Sequence, residues 1–371
     1  MDNSLDSRPR VLDGRTWDEF CEALRQAGQV VLQQHTPATE LDRSEGWRYL
    51  SRLVRIALES QLEYADPDFP VFYAICHATA KMGADNPDNN YRTACIRGDR
   101  HYRIWGTRGG APYLSFGTKA NRFGSDGSMA STGELGGERL AVAGDGTFEI
   151  VVSQLPQSGN WLPVTQDSNL LVVRETFLDR TREKPASMAI ECLDGPLKPQ
   201  PLTAQRLDTA LRAAGAFVRG TAAMFVDWTE SFRPASNMLN DLNQSYFQRA
   251  GGDPNIHYCH GYWSLEADEA LCIRTEIPEC VAWNFQLDNY WMESLDYRYL
   301  PVCLNKSSAR PNADGSVTII VGARNPGVTN FITTGGHSTG TMLLRWVLAR
   351  THPLPKCEVV KLSELATSAP V

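Results

Sequence analysis

Apolar residues recur at helical spacing in two stretches near the N-terminus, and this pattern predicts two neighbouring helices. The first covers about 16–34 and begins at a candidate capping box formed by Thr16 and Glu19. The second covers about 43–64, follows the candidate cap Asp42 and stops before Pro67. We expect the two helices to lie side by side in an N-terminal helical region over 1–84.

The pattern then changes to short apolar runs separated by turn residues, which is typical of antiparallel strands. The runs are 94–96, 102–105, 113–116, 148–152 and 170–177. Helical spacing returns over 202–232 and ends at Arg233-Pro234. We therefore expect a first β unit over 85–200, a connecting helix within 201–240 and a second β unit over 241–371.

The two halves of the chain share a pattern that indicates an internal duplication. In each half an Asp-Gly turn precedes a strand, a loop ending in Asn and an aromatic residue, and an apolar strand ending in Arg. The matching residues are Asp145 and Asp314, Asn160 and Asn330, and Arg174 and Arg345. Their separation changes only from 169 to 171 residues, so we favour duplication over chance repetition. Solenoid repeats are shorter, at roughly 20–50 residues.

The predicted fold class follows from these patterns. It is α+β and mainly β, with two duplicated antiparallel β-sandwich units of jelly-roll type, an N-terminal helical pair and a long connecting helix. A chain of 371 residues with 42% apolar residues is long enough to form the cores of two such units.

Charge and cysteine content exclude several classes of partner. The net charge of −7 lacks the basic excess that binds nucleic acid, so no nucleic-acid partner is expected. The most apolar long window, 213–226, is interrupted by Arg219 and is shorter than the roughly 20 residues of a membrane span. Nine scattered cysteines without a C-x-x-C pair, and an N-terminus without a secretory pattern, favour a cytoplasmic location.

Two motifs suggest chemistry that their context does not support. Gly336–Gly340 matches the G-x-S-x-G nucleophile elbow, but no acidic residue lies between Ser338 and His352, so no serine triad is expected. Residues 257–260 hold two His and one Cys, yet on a strand His260 would face away from the other two. We therefore predict no metal. Neither a dinucleotide fingerprint nor a P-loop is present, so no cofactor is predicted.

Residues 85–91 combine two Asp, three Asn and one Pro at the transition from helix to strand. These residue types favour turns, because Asn and Asp bond their own backbone and Pro presets φ. The spacing does not match a calcium loop, which needs Glu at its twelfth position. A plain turn and a loop that faces a ligand both remain open for this segment.

Nine aromatic residues lie between Tyr258 and Tyr299, at about twice the average density of the chain. Some must belong to the core of the second unit, and others are suited to a pocket for a small ring-bearing molecule or to a subunit contact. The candidate substrate-binding residues are Tyr262, Trp263, Trp283, Asn284, Asn330 and Arg345. The candidate catalytic residues are His337, His260 and Glu276, since a His beside a carboxylate can transfer protons near pH 7.

Several of these segments resemble a known family, the domain-of-unknown-function family 1214. They are Asp145-Gly146 with its strand, Gly159–Leu162, Asp314–Val321, Pro326-Gly327, Asn330-Phe331, Gly336-His337, Gly340 and Arg345-Trp346, with Asn86–Asp88 and Tyr91 resembling its longer bacterial members. The resemblance covers about 85–360, and Phe331 departs from it because the family usually has Trp there. It implies tandem β-sandwich or jelly-roll units with packed helices. It implies no settled reaction and no catalytic residues.

Three functional hypotheses follow. The first is a cofactor-independent bacterial enzyme that acts on a small apolar or aromatic metabolite by elimination or hydrolysis, with Arg345 holding an anionic group. The second is a non-catalytic protein that binds a small molecule or carbohydrate. The third is a homo-oligomeric scaffold whose exposed aromatic strip is a subunit contact. Convergence of His337, His260 and a carboxylate in one cavity would distinguish the first hypothesis from the others.

Overall fold

The structure, a computed structural model, describes residues 7–366 and consists of two β-rich halves separated by a long helix. Its helices are α1 (Ser7–Leu12), α2 (Arg15–Ala27), α3 (Glu40–Leu58), α4 (Phe123–Asp126), α5 (Ala204–Phe232), α6 (Gln244–Arg249) and α7 (Leu362–Ala366). The strands of the first half are β1 (Asn89–Cys95), β2 (Tyr102–Thr107), β3 (Tyr113–Arg122), β4 (Ser128–Gly136), β5 (Thr147–Ser153), β6 (Trp161–Pro163), β7 (Leu170–Thr176) and β8 (Ser187–Cys192). Those after α5 are β9 (Met238–Asp241), β10 (Ile256–Ser264), β11 (Glu269–Thr275), β12 (Ala282–Leu287), β13 (Cys303–Asn305), β14 (Val317–Gly322), β15 (Phe331–Thr333), β16 (Thr339–Val347) and β17 (Lys356–Lys361).

Each half contains two four-stranded sheets, and the strand order of the two halves coincides. In the first half the orders are β1-β7-β3-β4 and β6-β5-β2-β8, and in the second half they are β10-β16-β12-β13 and β15-β14-β11-β17. Each half also contains one parallel strand pair at the edge of its second sheet, β5 with β6 and β14 with β15. The predicted duplication and the mainly β sandwich fold are therefore confirmed.

The buried apolar side chains form three main hydrophobic cores. One core lies inside each sandwich, and the third lies between the two halves. Leu171 and Val173 of β7 pack into the core of the first sandwich, whereas Val172 faces the third core. This alternation follows from the two-residue period of a strand. Leu343 and Leu344 of β16 divide in the same way. Both faces of β7 are buried, and its first four residues, Leu170–Val173, are all apolar.

The third core is closed by helices. The 29-residue helix α5 buries one face, and α1, α2 and α3 pack against it. The predicted N-terminal helices are present, with α2 extended by a 3₁₀ segment (Gly28–Leu32) and α3 by a π segment (Glu59–Glu63). No helix among residues 7–366 combines the length and the apolar character that a membrane crossing requires.

The helix caps differ from those predicted. Thr16 and Glu19 form no capping box, because Thr16 Oγ1 donates to the Asp208 carboxylate at 2.5 Å and Glu19 binds Arg10. Tertiary partners thus replace the local ones. The cap of α3 is Thr39 instead of Asp42, and the two side chains bond each other at 2.6 Å while Thr39 Oγ1 accepts from the Asp42 backbone N–H.

Candidate functional site

A cavity of about 160 Å³ lies where the two halves meet α5. Equivalent residues of the two halves line it, because the strands that carry them have the same register. Tyr91 of β1 pairs with Arg174 of β7, and Tyr258 of β10 pairs with Arg345 of β16. The cavity is therefore built from the same positions of the duplicated unit, used twice.

The two arginines join the halves through crossed hydrogen bonds. Arg174 donates to the carbonyl oxygen of Gly251, which precedes β10 in the second half. Arg345 donates to the carbonyl oxygen of Ala84, which precedes β1 in the first half. Both side chains are buried. Each half thus binds the segment that leads into the first strand of the other.

The turns before β1 and β10 are matched as well. The backbone N–H of Asn86 donates to the Tyr91 hydroxyl at 3.0 Å, and that of Asp253 donates to the Tyr258 hydroxyl at 2.9 Å. Asn284 of the second half donates to Asn86 Oδ1 at 2.8 Å. The segment forms a turn that leads into β1, and Asp85, Asn89 and Tyr91 line the cavity, so a ligand-facing role for it stays a prediction.

Apolar side chains from three different helices and one strand form much of the cavity wall. They are Phe123 of α4, Met129 of β4, Phe225 and Trp228 of α5, and Phe247 of α6. The Trp228 ring lies edge-on to Phe225 and Phe247, with centroid distances of 5.6 and 5.2 Å. Such edge-to-face packing fixes the ring orientations. This part of the wall is therefore closely packed and mainly apolar.

His260 lies among these rings. Its imidazole stacks on Phe232 with a centroid distance of 5.1 Å and lies 4.4 Å from the Phe247 ring. Burial, with a smaller contribution from the nearby Arg345 charge, lowers the pKa of His260 to about 3. The imidazole is therefore neutral at pH 7.

A network of buried polar side chains holds the Arg345 guanidinium by hydrogen bonds. Gln286 Oε1 accepts from the Arg345 guanidinium, and Gln286 Nε2 donates to Asp288 Oδ1 and to the carbonyl oxygen of Asp85. Burial raises the pKa of Asp288 to about 7, although the hydrogen bond from Gln286 opposes the shift. Burial also raises the pKa of Asp85, whose two carboxylate oxygens accept from Ser294.

Three of the nine predicted site residues belong to this region. Arg345 and His260 line the cavity. Asn284 lies directly behind it, between Asn86 and the Arg345 guanidinium, whose Nη1 is 3.4 Å from Asn284 Oδ1. These residues come from three neighbouring strands of one sheet, so strand pairing brings them together.

The aromatic residues that were candidates for substrate binding lie outside the cavity lining. Trp263 and Trp283 are in the core of the second sandwich, where the Trp263 indole N–H points at main-chain carbonyls. Tyr262 is buried in the third core near the Arg233 guanidinium, 6.0 Å from its ring centroid. Trp263 and Trp283 are therefore corrected from cavity lining to core packing, because alternation along a strand turns every second side chain away from the cavity. Tyr262 is corrected for a different reason: it shares the face of His260 but lies two residues further along β10, beyond the residues that line the cavity.

Asn330 has a structural role in a turn. Its side-chain amide donates to the carbonyls of Arg310 and Thr318, and its oxygen accepts the Arg310 backbone N–H. Asn160 makes the matching three bonds in the first half. Asn330 is therefore corrected from substrate binding to clamping the loop before β15.

The three predicted catalytic residues do not meet. His337 Nδ1 lies 2.8 Å from Asp42 Oδ1, and these two side chains border a separate surface pocket at the start of α3. Glu276 is exposed after the end of β11, and His260 is enclosed in the central cavity. The expectation of a single acid/base centre is corrected accordingly, because the three residues lie on elements with different neighbours.

Asp42 is the carboxylate that the sequence did not identify as the partner of His337. Burial alone would raise the pKa of Asp42, but hydrogen bonds from His337 and Thr39 outweigh this effect and hold the pKa below its ordinary value. Asp42 is therefore an ionised acceptor at neutral pH. Its contact with His337 crosses 295 positions of the sequence, so no local pattern could indicate it.

The aromatic-rich stretch 258–299 lies mostly inside the molecule. Seven of its nine aromatic residues are buried, Tyr297 is half-buried and Tyr299 is exposed. It does not form the exposed patch that the scaffold hypothesis requires. Among residues 7–366, no three His, Cys, Asp or Glu side chains are arranged to hold a metal ion.

Comparison with known proteins identifies a relative by structure. No family model matches the chain, and no curated protein matches it. The crystal structure of an uncharacterised protein from Burkholderia cenocepacia has a TM-score of 0.95 and 49% sequence identity, covering 96% of this chain and 99% of that chain. A protein from Vibrio parahaemolyticus has a TM-score of 0.48 and 12% identity, covering 85% of this chain and 98% of that one. The resemblance to the domain-of-unknown-function family 1214 stays a prediction.

Proposed function

The chain belongs to the same family as the Burkholderia cenocepacia protein, and we propose that it binds a small apolar or aromatic molecule in the cavity between its two halves. The observation that carries the proposal is a cavity of about 160 Å³ with aromatic walls and a few buried polar groups. Small-molecule sites have this composition. An apolar protein cavity of roughly 150 Å³ is large enough for benzene.

His260 supports binding over acid/base chemistry in this cavity. A general base works best when its pKa lies near the operating pH. With a pKa of about 3, His260 takes up a proton poorly at pH 7. Its role there is to offer a flat ring and a neutral hydrogen-bonding nitrogen to the bound molecule.

A thermal-shift comparison tests the proposal. Indole, benzyl alcohol and benzoate are added to the wild-type protein and to Val172→Phe, which places a ring in the cavity. Val151→Phe is the matched control, because Val151 lies on β5 outside the cavity. A ligand at 100 times its Kd stabilises the native state by about 2.7 kcal/mol.

We expect at least one probe to raise the melting temperature of the wild type and of Val151→Phe, and to leave Val172→Phe unchanged. Equal shifts in all three proteins would place the ligand outside the cavity and refute the proposal. Absence of any shift would refute it for molecules of this size.

An enzymatic role is the second candidate, and the His337–Asp42 pair favours it. A carboxylate that holds one imidazole nitrogen orients the other for proton transfer. The pair borders a surface pocket separate from the cavity, so the test uses an aromatic ester, phenyl acetate, as substrate. If wild type and His352→Gln hydrolyse phenyl acetate above the uncatalysed rate and His337→Gln does not, the enzymatic role is supported. Hydrolysis by the wild type at the uncatalysed rate would refute it for this class of substrate.

A further inference from the structure

Besides the Thr93 hydroxyl, the cavity wall includes three buried side-chain nitrogen atoms that have no hydrogen-bond partner among residues 7–366. They are Arg174 Nη1, Trp228 Nε1 and His260 Nδ1. The guanidinium and indole N–H groups can only donate, and the imidazole nitrogen donates in one tautomer. A buried donor without an acceptor is costly. A molecule that brings acceptor oxygens into the cavity therefore satisfies groups that the protein leaves open.

The carboxylate in the wall, Asp85, and the one next to Arg174, Asp253, already accept hydrogen bonds within the protein. One oxygen of Asp253 accepts from the Ser115 hydroxyl at 2.7 Å and the other accepts a main-chain N–H at 3.0 Å. Arg174 Nη1 is 3.7 Å from Asp253, which is an ion-pair distance but too long for a hydrogen bond. Both oxygens of Asp85 accept from one serine. Arg174 Nη1 thus has no hydrogen-bond acceptor among residues 7–366.

The charge on the wall also favours an anion. Arg345 donates only to neutral oxygens, those of Gln286, Asn284 and the Ala84 carbonyl. Three largely buried acids, Asp85, Asp88 and Asp288, interact with the Arg345 charge without a hydrogen bond to it. Burial raises the pKa of all three, that of Asp88 to about 6 and that of Asp288 to about 7. A buried guanidinium without a carboxylate in contact is stabilised by an incoming negative charge.

From these observations we infer that the cavity selects a small carboxylic acid with an aromatic or short aliphatic body. Its carboxylate accepts from donors among Arg174, Trp228 and His260, and its body packs against the apolar side chains of the wall, Phe123 and Phe225 among them. The inference rests on the proposed function and adds the chemical class of the ligand.

Calorimetric titration of the full chain at pH 7 with benzoate and benzamide tests the charge requirement, because the two molecules share one shape and differ in charge. We expect benzoate to bind at least tenfold more tightly than benzamide. Trp228→Phe keeps an aromatic ring and removes one donor, and we expect it to weaken benzoate binding about fivefold to tenfold. Trp161→Phe is the matched control, since the Trp161 indole donates to Ser153 away from the cavity.

Arg174→Met should remove the preference for benzoate, with Arg182→Met as the exposed control. If Arg174→Met does not fold, Trp228→Phe still decides the outcome. Equal affinities for benzoate and benzamide in the wild type would overturn the inference and leave the proposed function standing. Binding of indole alone would overturn it as well. Failure of every probe, charged or neutral, would instead remove the proposed function itself.

Discussion

Replacement of Arg345 by methionine measures how strongly the crossed hydrogen bonds hold the two halves together. Methionine retains a long apolar side chain and removes every donor. Two acceptors in close contact, Gln286 Oε1 and the Ala84 carbonyl oxygen, lose their partner, and the contact to Asn284 at 3.4 Å is weaker. A buried acceptor left unpaired costs about 1–3 kcal/mol. We therefore expect the free energy of unfolding to fall by about 4 kcal/mol.

The corresponding shift in melting temperature follows from the size of the chain. Unfolding entropy is about 2.1 cal/mol/K per residue, or about 0.8 kcal/mol/K here, so the melting temperature should fall by about 5 °C. Differential scanning calorimetry at pH 7 measures the shift. Arg174→Met removes one such hydrogen bond, to the Gly251 carbonyl, together with the 3.7 Å ion pair to Asp253, so it should also lower the melting temperature. Arg182→Met, whose side chain is 86% exposed, should change the stability by less than about 0.5 kcal/mol. A melting temperature of Arg345→Met within 1 °C of wild type would refute the reasoning.

Three further predictions concern packing, pH and the loop clamp. Gly46→Ala should lower the stability by about 1–3 kcal/mol, because its Cβ would lie 2.7 Å from the Trp291 ring; Gly144→Ala, with no atom within 4 Å, should melt near the wild-type temperature. Asp288→Asn should raise the melting temperature more at pH 8 than at pH 5, since a raised folded-state pKa makes ionisation destabilising as pH rises from about 4 to about 7; a pH-independent difference would contradict this. Asn330→Ala should lower the stability by about 2–4 kcal/mol through three lost hydrogen bonds, measured by urea unfolding.

Features fixed by local chemistry could be predicted from the sequence. The duplication was visible because Asp145 and Asp314 make the same side-chain-to-backbone turn in both halves, which only a few residue types can form. Asn160 and Asn330 are maintained for a similar reason, since each must close the same loop. These turn and loop hydrogen bonds depend on residue types at a few nearby positions, so the sequence pattern alone can indicate them.

The residues that line the cavity could not be predicted, because they are determined by how the two halves pack against each other. Alternation predicts that residues of β10 and β12 divide between two faces, but it does not show which face meets the other half. The prediction that Trp263 and Trp283 line a pocket is therefore wrong, because both lie in a sandwich core. The cavity residues Arg174 and Trp228 lie more than 100 positions before Arg345 in the sequence. The repeat supplied one usable signal, because Arg174 is the counterpart of a residue already predicted.

The duplication determines what shape of molecule the cavity can distinguish. If each half were a separate chain, two copies would present every feature of the cavity twice, related by a two-fold axis. Fusion into one chain has removed that restriction. Thr93 occupies in the first half the register position that His260 occupies in the second, and Lys119 corresponds in the same way to Asp288. Thr93 and His260 line the cavity, so its two halves present different side chains at equivalent positions and the cavity lacks the two-fold symmetry of a dimer.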